Sequence, residues 1–109
     1  PRLALIAALA LAPRALAAEA LSGTEIAELF NGTRFTYTGP TSGEMRYTAQ
    51  RFVIEDSWLG RSEGRWYVKG DRFCREFETG FSHCSVVIAN EDGSYTARVR
   101  GFRYRLMPR

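Results

Sequence analysis

The sequence predicts an all-β fold, a small antiparallel barrel or curved sandwich, with about eight short strands and one short N-terminal helix. Apolar and polar residues alternate with a period of two along most of the chain after Gly32. Clusters of glycine, proline, asparagine and aspartate interrupt this alternation at intervals of about eight to twelve residues. Two cysteines, Cys74 and Cys84, lie on either side of one such cluster.

The stretch from Gly64 to Cys84 contains the clearest strand and turn pattern. Trp66 and Val68 alternate with polar residues, and Gly70–Asp71 then predicts a hairpin turn. A strict two-residue turn would place Cys74 on the opposite face from Trp66, whereas Cys84 shares its parity with Val86, which is expected to face inward. We therefore expect a longer turn, or a bulge in the strand that begins at Phe73.

The two cysteines are expected to form a cross-strand disulfide. The centre of the segment between Cys74 and Cys84 is Thr79, so a roughly symmetric hairpin brings the two sulfurs onto facing strands. A zinc site that adds His83 is disfavoured, because two ligands are adjacent and a fourth soft ligand is missing. A catalytic Cys–His pair is disfavoured too, because adjacent strand residues point to opposite faces. We expect no metal and no cofactor.

The first residues are typical of a secretory signal peptide. An arginine precedes an apolar run from Leu3 to Ala12, which is too short to span a bilayer, and Ala15 and Ala17 suit signal peptidase. We expect cleavage after Ala17, a single β domain over residues 18–109, a periplasmic or secreted location and no stable membrane insertion of the mature protein. A disulfide persists in such an oxidising compartment.

The charge of the mature chain does not favour nucleic acid as a partner. The formal charge of +3 falls to +1 when Arg2 and Arg14 leave with the signal peptide. Phosphate loops, dinucleotide fingerprints and nucleophile elbows are missing from the sequence, and His83 is its one histidine. We therefore expect a protein that is not an enzyme.

The N-terminal helix has recognisable ends. Ser22 and Glu25 have the spacing of a capping box, and Asn31–Gly32 predicts the helix end. Ile26 and Phe30 fall on one side of the helix, which is too short to be stable without packing on the sheet.

The last third of the chain predicts a hairpin and a bulge. With Asp92–Gly93 as the two central residues of a turn, Ile88 lies opposite Ala97 and Val86 lies opposite Val99. After Val99, the apolar positions change parity at Gly101, which predicts a glycine bulge within one long strand.

The same region holds the densest basic and aromatic group of the sequence. It comprises Arg98, Arg100, Arg103 and Arg105, with Phe102 and Tyr104 between them. Such a ribbon suits an acidic partner or a polyanion. The alternative is that these charges protect an edge strand against aggregation, and this is the interpretation that we favour.

The chain resembles a known family at several short motifs. These are Leu21-Ser22-Gly23 at the helix start, Gly64-Arg65-Trp66-Tyr67-Val68, Gly70-Asp71-Arg72-Phe73-Cys74, and the later Cys84. They are similar to those of the DUF995-like family of small exported proteobacterial proteins. The resemblance implies a periplasmic, lipocalin-like β fold and no established activity.

Two functions are compatible with these observations. The first is a non-enzymatic binding module for a small ligand or an envelope component, in which Trp58, Trp66 and Tyr47 contribute the binding surface. The second is a periplasmic inhibitor of a protease or lysozyme, because the chain resembles the periplasmic proteinase-inhibitor barrels in size, export, a tryptophan-bearing early strand and a single disulfide. An interior pocket would favour the first function. A packed interior with a protruding segment, either residues 18–22 or the Gly39–Gly43 loop, would favour the second.

Overall fold

The structure of the protein is a computed structural model that describes residues 18–109, so the predicted signal peptide lies outside the described residues. One helix, α1, spans Gly23–Phe30. Ten strands are described: β1 (Glu19–Ala20), β2 (Arg34–Thr38), β3 (Ser42–Tyr47), β4 (Arg51–Asp56), β5 (Gly60–Lys69), β6 (Arg72–Phe77), β7 (Ser82–Ser85), β8 (Val87–Ala89), β9 (Tyr95–Val99) and β10 (Phe102–Pro108). Within residues 18–109, no helix is long and apolar enough to cross a membrane.

All ten strands belong to one antiparallel sheet that curls into a half-barrel. Strands β2 to β7 are neighbours in chain order, β8 to β10 are as well, and β10 pairs with β2. β7 and β8 lie near opposite ends of this order, although Val86 alone separates them in the chain. Because a single residue leads from β7, at one edge of the sheet, to β8, near the other edge, the sheet has to curl so that the two edges lie close together. The all-β prediction is confirmed, and the strand number exceeds eight because β1 is a short addition and the run Ser82–Ala89 is divided.

Helix α1 forms where the sequence predicted it and packs on β5 and β6. Ser22 and Glu25 make the reciprocal hydrogen bonds of a capping box, and Gly32 after the helix has a positive φ of 77°. Ile26 and Phe30 are fully buried. The Phe30 ring stacks on Phe73 with 4.0 Å between centroids, so the helix fills one part of the inner face of the sheet.

The β5–β6 hairpin has a strict two-residue turn, so the expected bulge or longer turn is wrong. Lys69 pairs with Arg72 across Gly70–Asp71, and the register continues without interruption to Gly64 and Phe77. Cys74 therefore lies on the outer face and Arg75 on the inner face. The parity conflict disappears because Val86 is exposed rather than inward-facing.

The predicted disulfide is present on that outer face. Cys74 and Cys84 are directly opposed in the β6–β7 ladder and their sulfurs are bonded. Cys74 is buried, whereas Cys84 is exposed to solvent. The bridge joins β7 to β6, the one strand with which β7 pairs among the described elements.

The register predicted for β8 and β9 is wrong by one residue. Val87, not Ile88, lies opposite Ala97, and the Asn90 amide donates to the Ser94 carbonyl across a three-residue loop. Asp92 favours this longer loop because its Oδ1 accepts hydrogen bonds from the amide and hydroxyl of Ser94. A one-residue shift exchanges the two faces of a strand, so Val87 is buried.

The parity change at Gly101 is a turn and not a bulge. Arg100 and Gly101 both have positive φ, 54° and 82°, and Val99 pairs with Phe102 across them. Two central residues with positive φ make the tight turn that suits the twist of a hairpin. The predicted single long strand is therefore two strands, β9 and β10.

Candidate functional site

A cavity of about 250 Å³ lies on the inner face of the curled sheet. Its walls are mainly apolar and come from strands on both sides of the curl. They include Met45, Ile54, Phe73, Phe77, Ala97 and Leu106. The curl of the sheet therefore surrounds a concave, mainly apolar space.

Arg75 places a positive charge in the wall of this cavity. It lies between Phe73 and Phe77 on the inner face of β6 and is only 7 % exposed. The guanidinium carbon is 5.6 and 5.3 Å from the centroids of those two rings, a distance at which aromatic faces attract a cation. The side chain is therefore built into the interior.

The hydrogen bonds of Arg75 leave its charge without a counter-ion. Nε donates to Nε2 of His83 at 3.0 Å, and Nη1 donates to the hydroxyl of Tyr47 at 3.2 Å. Across residues 18–109, no carboxylate lies within ion-pair distance of Arg75 and its Nη2 makes no hydrogen bond. Buried charges in proteins are generally paired, so this guanidinium is unusual.

His83 and Ser85 add two polar groups to the same cavity from β7. Burial, together with the positive charge of Arg75, lowers the pKa of His83 to about 4, so the ring is neutral at pH 7. Because Nε2 accepts from Arg75, the ring proton is assigned to Nδ1. Both Nδ1 of His83 and Oγ of Ser85 are buried without a hydrogen-bond partner in the described part of the chain.

Another wall of the cavity contains Asp56, whose carboxylate is fully engaged. Oδ2 accepts from the hydroxyls of Tyr37 and Thr41, and Oδ1 accepts from the amides of Trp58 and Leu59. Burial opposes ionisation of this group, but those hydrogen bonds outweigh it and lower the pKa of Asp56 to about 2. Burial, reinforced by the hydrogen bond to the Asp56 carboxylate, raises the pKa of Tyr37.

Comparisons with protein-family models, curated proteins and solved structures found no match. The resemblance to the DUF995-like family therefore stays a prediction. In the region that the structure describes, no group of three or more metal-ligating side chains occurs.

The three aromatic residues predicted to bind together do not form one site. Tyr47 is buried in the cavity wall and bonded to Arg75. Trp66 instead belongs to the core beneath α1, and its Nε1 donates to the carbonyl of Thr48 at 2.8 Å. Trp58 is 79 % exposed, in the turn between β4 and β5. The rings of Tyr47 and Trp66 meet edge-on, with 6.0 Å between their centroids, so Trp58 is the one of the three that lies on the surface.

The four predicted arginines are exposed, but they do not form one continuous ribbon. Arg98 and Arg103 lie opposite each other across the β9–β10 hairpin. Arg100 lies over the ring of Phe81, and Arg105 is 2.7 Å from a carboxylate oxygen of Asp92. The turn at Arg100–Gly101 distributes the arginines over two strands.

Tyr104, from the same predicted group, lines the cavity and packs edge-on against Tyr37. The sequence pattern did not indicate Arg75 or Ser85 as site residues, and it raised His83 only as a disfavoured zinc ligand or catalytic partner of a cysteine. A pattern was available, because the alternation Phe73-x-Arg75-x-Phe77 places the arginine on the apolar face once the turn has two residues.

Proposed function

We propose that this protein is a non-enzymatic binding module that holds a small, largely apolar ligand inside its curled sheet. The observation that carries this proposal is the cavity of about 250 Å³ with apolar and aromatic walls. Small-molecule sites in proteins have this character, a concave apolar surface with a few polar groups.

The dimensions of the cavity define the size of the ligand. At roughly 25 to 30 Å³ for each non-hydrogen atom in a liquid-like packing, the space accommodates about eight to ten such atoms. Removing the apolar surface of such a ligand from water would supply most of its binding free energy.

The polar groups of the cavity favour binding over catalysis. Ser85 and His83 are the nearest approach to a nucleophile and base, but neither is hydrogen-bonded to the other within the described structure. Nucleophilic catalysis by serine needs a base within hydrogen-bond reach. In addition, Nε2 of His83 already accepts a hydrogen bond from Arg75.

An inhibitor is supported less well, because the two segments expected to protrude are held by the fold. Glu19–Ala20 pairs with β8 as strand β1. In the Gly39–Gly43 loop, Thr41 donates to Asp56 at 2.6 Å and Gly39 packs closely against Tyr104. The periplasmic or secreted location stays part of the proposal, and the disulfide is compatible with an oxidising compartment.

Titration of isotope-labelled protein with octanol, followed by amide chemical shifts, tests the proposal. We expect saturable shifts in strands that line the cavity, and we expect Ala97→Phe to abolish them by filling the space. Ala27→Phe, at an exposed alanine of α1, is the matched control. If Ala97→Phe does not fold, Ala97→Leu should weaken binding. The absence of saturable shifts, or equal binding by the Ala97 variants, would contradict the proposal.

A further inference from the structure

We propose, on the basis of the function proposed above, that the ligand carries one carboxylate group. The guanidinium of Arg75, the Nδ1–H of His83 and the hydroxyl of Ser85 would bind this group. The apolar part of the ligand would lie against the remaining walls of the cavity. The ligand class is thus a monocarboxylic acid with an apolar body of modest length.

The backbone brings the three donors together. Arg75 and His83 are directly opposed in the β6–β7 ladder. Ser85 lies two residues after His83, so both side chains lie on the same face of β7. All three residues line the one cavity, and Arg75 and Ser85 are 7 % and 5 % exposed.

Each of these three residues has a hydrogen-bond donor to which the described protein offers no acceptor. In the described chain, Nδ1 of His83 and Oγ of Ser85 are buried without a hydrogen-bond partner, and Nη2 of Arg75 makes no hydrogen bond to the protein. Buried polar groups without partners are rare and costly in native proteins. A bound carboxylate would give the Arg75 guanidinium a partner of opposite charge and would offer acceptors to the neighbouring donors.

The charges in the cavity favour an anion over a cation. Arg75 has no neighbouring carboxylate among residues 18–109, whereas both oxygens of Asp56 accept hydrogen bonds from the protein. A cationic ligand would have to displace those bonds and would also be repelled by Arg75. An anionic ligand gains a charge-assisted contact and neutralises the buried guanidinium.

The single charge of the site favours a carboxylate over a phosphate ester. His83 is neutral and contributes a proton donor but no second charge. A phosphate monoester carries close to two negative charges at pH 7, one of which would remain buried without compensation. A carboxylate has one charge, which the single guanidinium balances, and its oxygens can accept hydrogen bonds from Nη2, the nitrogen of Arg75 that the described protein leaves free.

Calorimetric titration with three ligands of one chain length tests this assignment: octanoate, octanol and octyl phosphate. We expect octanoate to bind at least ten-fold more tightly than either of the others. Arg75→Met should abolish the preference for octanoate over octanol. Arg72→Met, at an exposed arginine of the same strand, should leave all three affinities unchanged.

Further variants keep the test decisive if Arg75→Met does not fold. Arg75→Lys keeps the charge but loses the fork, and we expect it to bind octanoate several-fold more weakly. Ser85→Ala should lower the affinity for octanoate relative to octanol several-fold. Normal octanoate binding by both would overturn the assignment.

The outcomes separate the two proposals. Octanol and octanoate binding with equal affinity would overturn the carboxylate assignment and leave the binding function standing. Tighter binding of octyl phosphate than of octanoate would do the same. Failure of all three ligands to bind would overturn both proposals.

Discussion

The cavity has two polar regions that differ in how their hydrogen bonds are completed. Around Asp56, a carboxylate accepts hydrogen bonds from two hydroxyls and two backbone amides. Around Arg75, a guanidinium, an imidazole N–H and a hydroxyl retain donors that no described group accepts. Both regions are charged and both line the same space.

This difference distinguishes a structural polar group from a binding group. Asp56 joins the β2–β3 turn, through Thr41, to the β4–β5 turn, through Trp58 and Leu59, so its charge stabilises the fold. Arg75 gains little from the protein beyond aromatic contacts and three neutral acceptors, on His83, Tyr47 and Met45. Four predictions, taken from the largest expected effect to the smallest, test this distinction.

Loss of the disulfide should affect the Arg75 region first. The double variant Cys74→Ala/Cys84→Ala should lose about 2.5 to 3 kcal/mol of stability, since the bridge no longer restricts the unfolded chain. β7, which carries His83 and Ser85, pairs only with β6 among the described strands. Denaturant unfolding measures the loss, and hydrogen exchange should show faster exchange in β7 than in β4. Equal acceleration in both strands would contradict this.

Removal of the Asp56 carboxylate should destabilise the protein by about 2 kcal/mol, because four donors lose a charged acceptor. Asp56→Ala is compared by thermal unfolding with Glu55→Ala, an exposed neighbour whose ion pairs contribute little. A pKa lowered from 3.8 to about 2 stabilises the fold above this range, and that contribution is lost as the pH falls through it. The two variants should therefore differ at pH 7 and converge near pH 2.

His83 should make stability depend on pH. Its pKa falls from 6.5 in the unfolded chain to about 4 in the fold, so the unfolded chain binds more protons between these values. Stability should therefore fall as the pH is lowered from 6.5 to 4, by about 1 to 2 kcal/mol after allowance for partial exposure. Urea unfolding of the wild type and His83→Gln isolates this term, and an identical slope in both proteins would exclude it.

Arg75 should contribute least to the stability of the ligand-free protein. We expect Arg75→Met to change the free energy of unfolding by less than about 1 kcal/mol, because the lost contacts offset the removal of a buried, unpaired charge. Urea unfolding without ligand measures this, with Arg72→Met as the exposed control. A loss above about 2 kcal/mol would show that Arg75, like Asp56, serves the fold.

Much of the fold could be predicted from local sequence patterns. The capping box at Ser22, the turn at Gly70–Asp71 and the alternation around Phe35 each depend on neighbouring residues, and the structure contains all three. The disulfide followed from the hairpin between its cysteines. Sequence patterns that depend on neighbouring residues and fit a single local conformation therefore predicted the structure correctly.

The site was harder to predict because it depends on register. An arginine in an alternating strand normally faces solvent, so the sequence alone does not indicate Arg75 as a site residue. The two-residue turn places Arg75 on the inner face. The choice between two and three loop residues near Asp92 likewise decided whether Val86 or Val87 faced inward. A single residue of loop length changes every following side chain, and its energy depends on side-chain hydrogen bonds that composition does not show.

Because the sulfur bridge lies on the outer surface, experiments can test separately how the bridge and a bound ligand contribute to stability. Thiol reagents meet Cys84 from bulk solvent, without passing through the space reserved for a guest molecule. A ligand can therefore be added, or the disulfide reduced, in separate experiments. A comparison of their separate and combined effects on unfolding would show how much the disulfide stabilises the ligand-bound cavity.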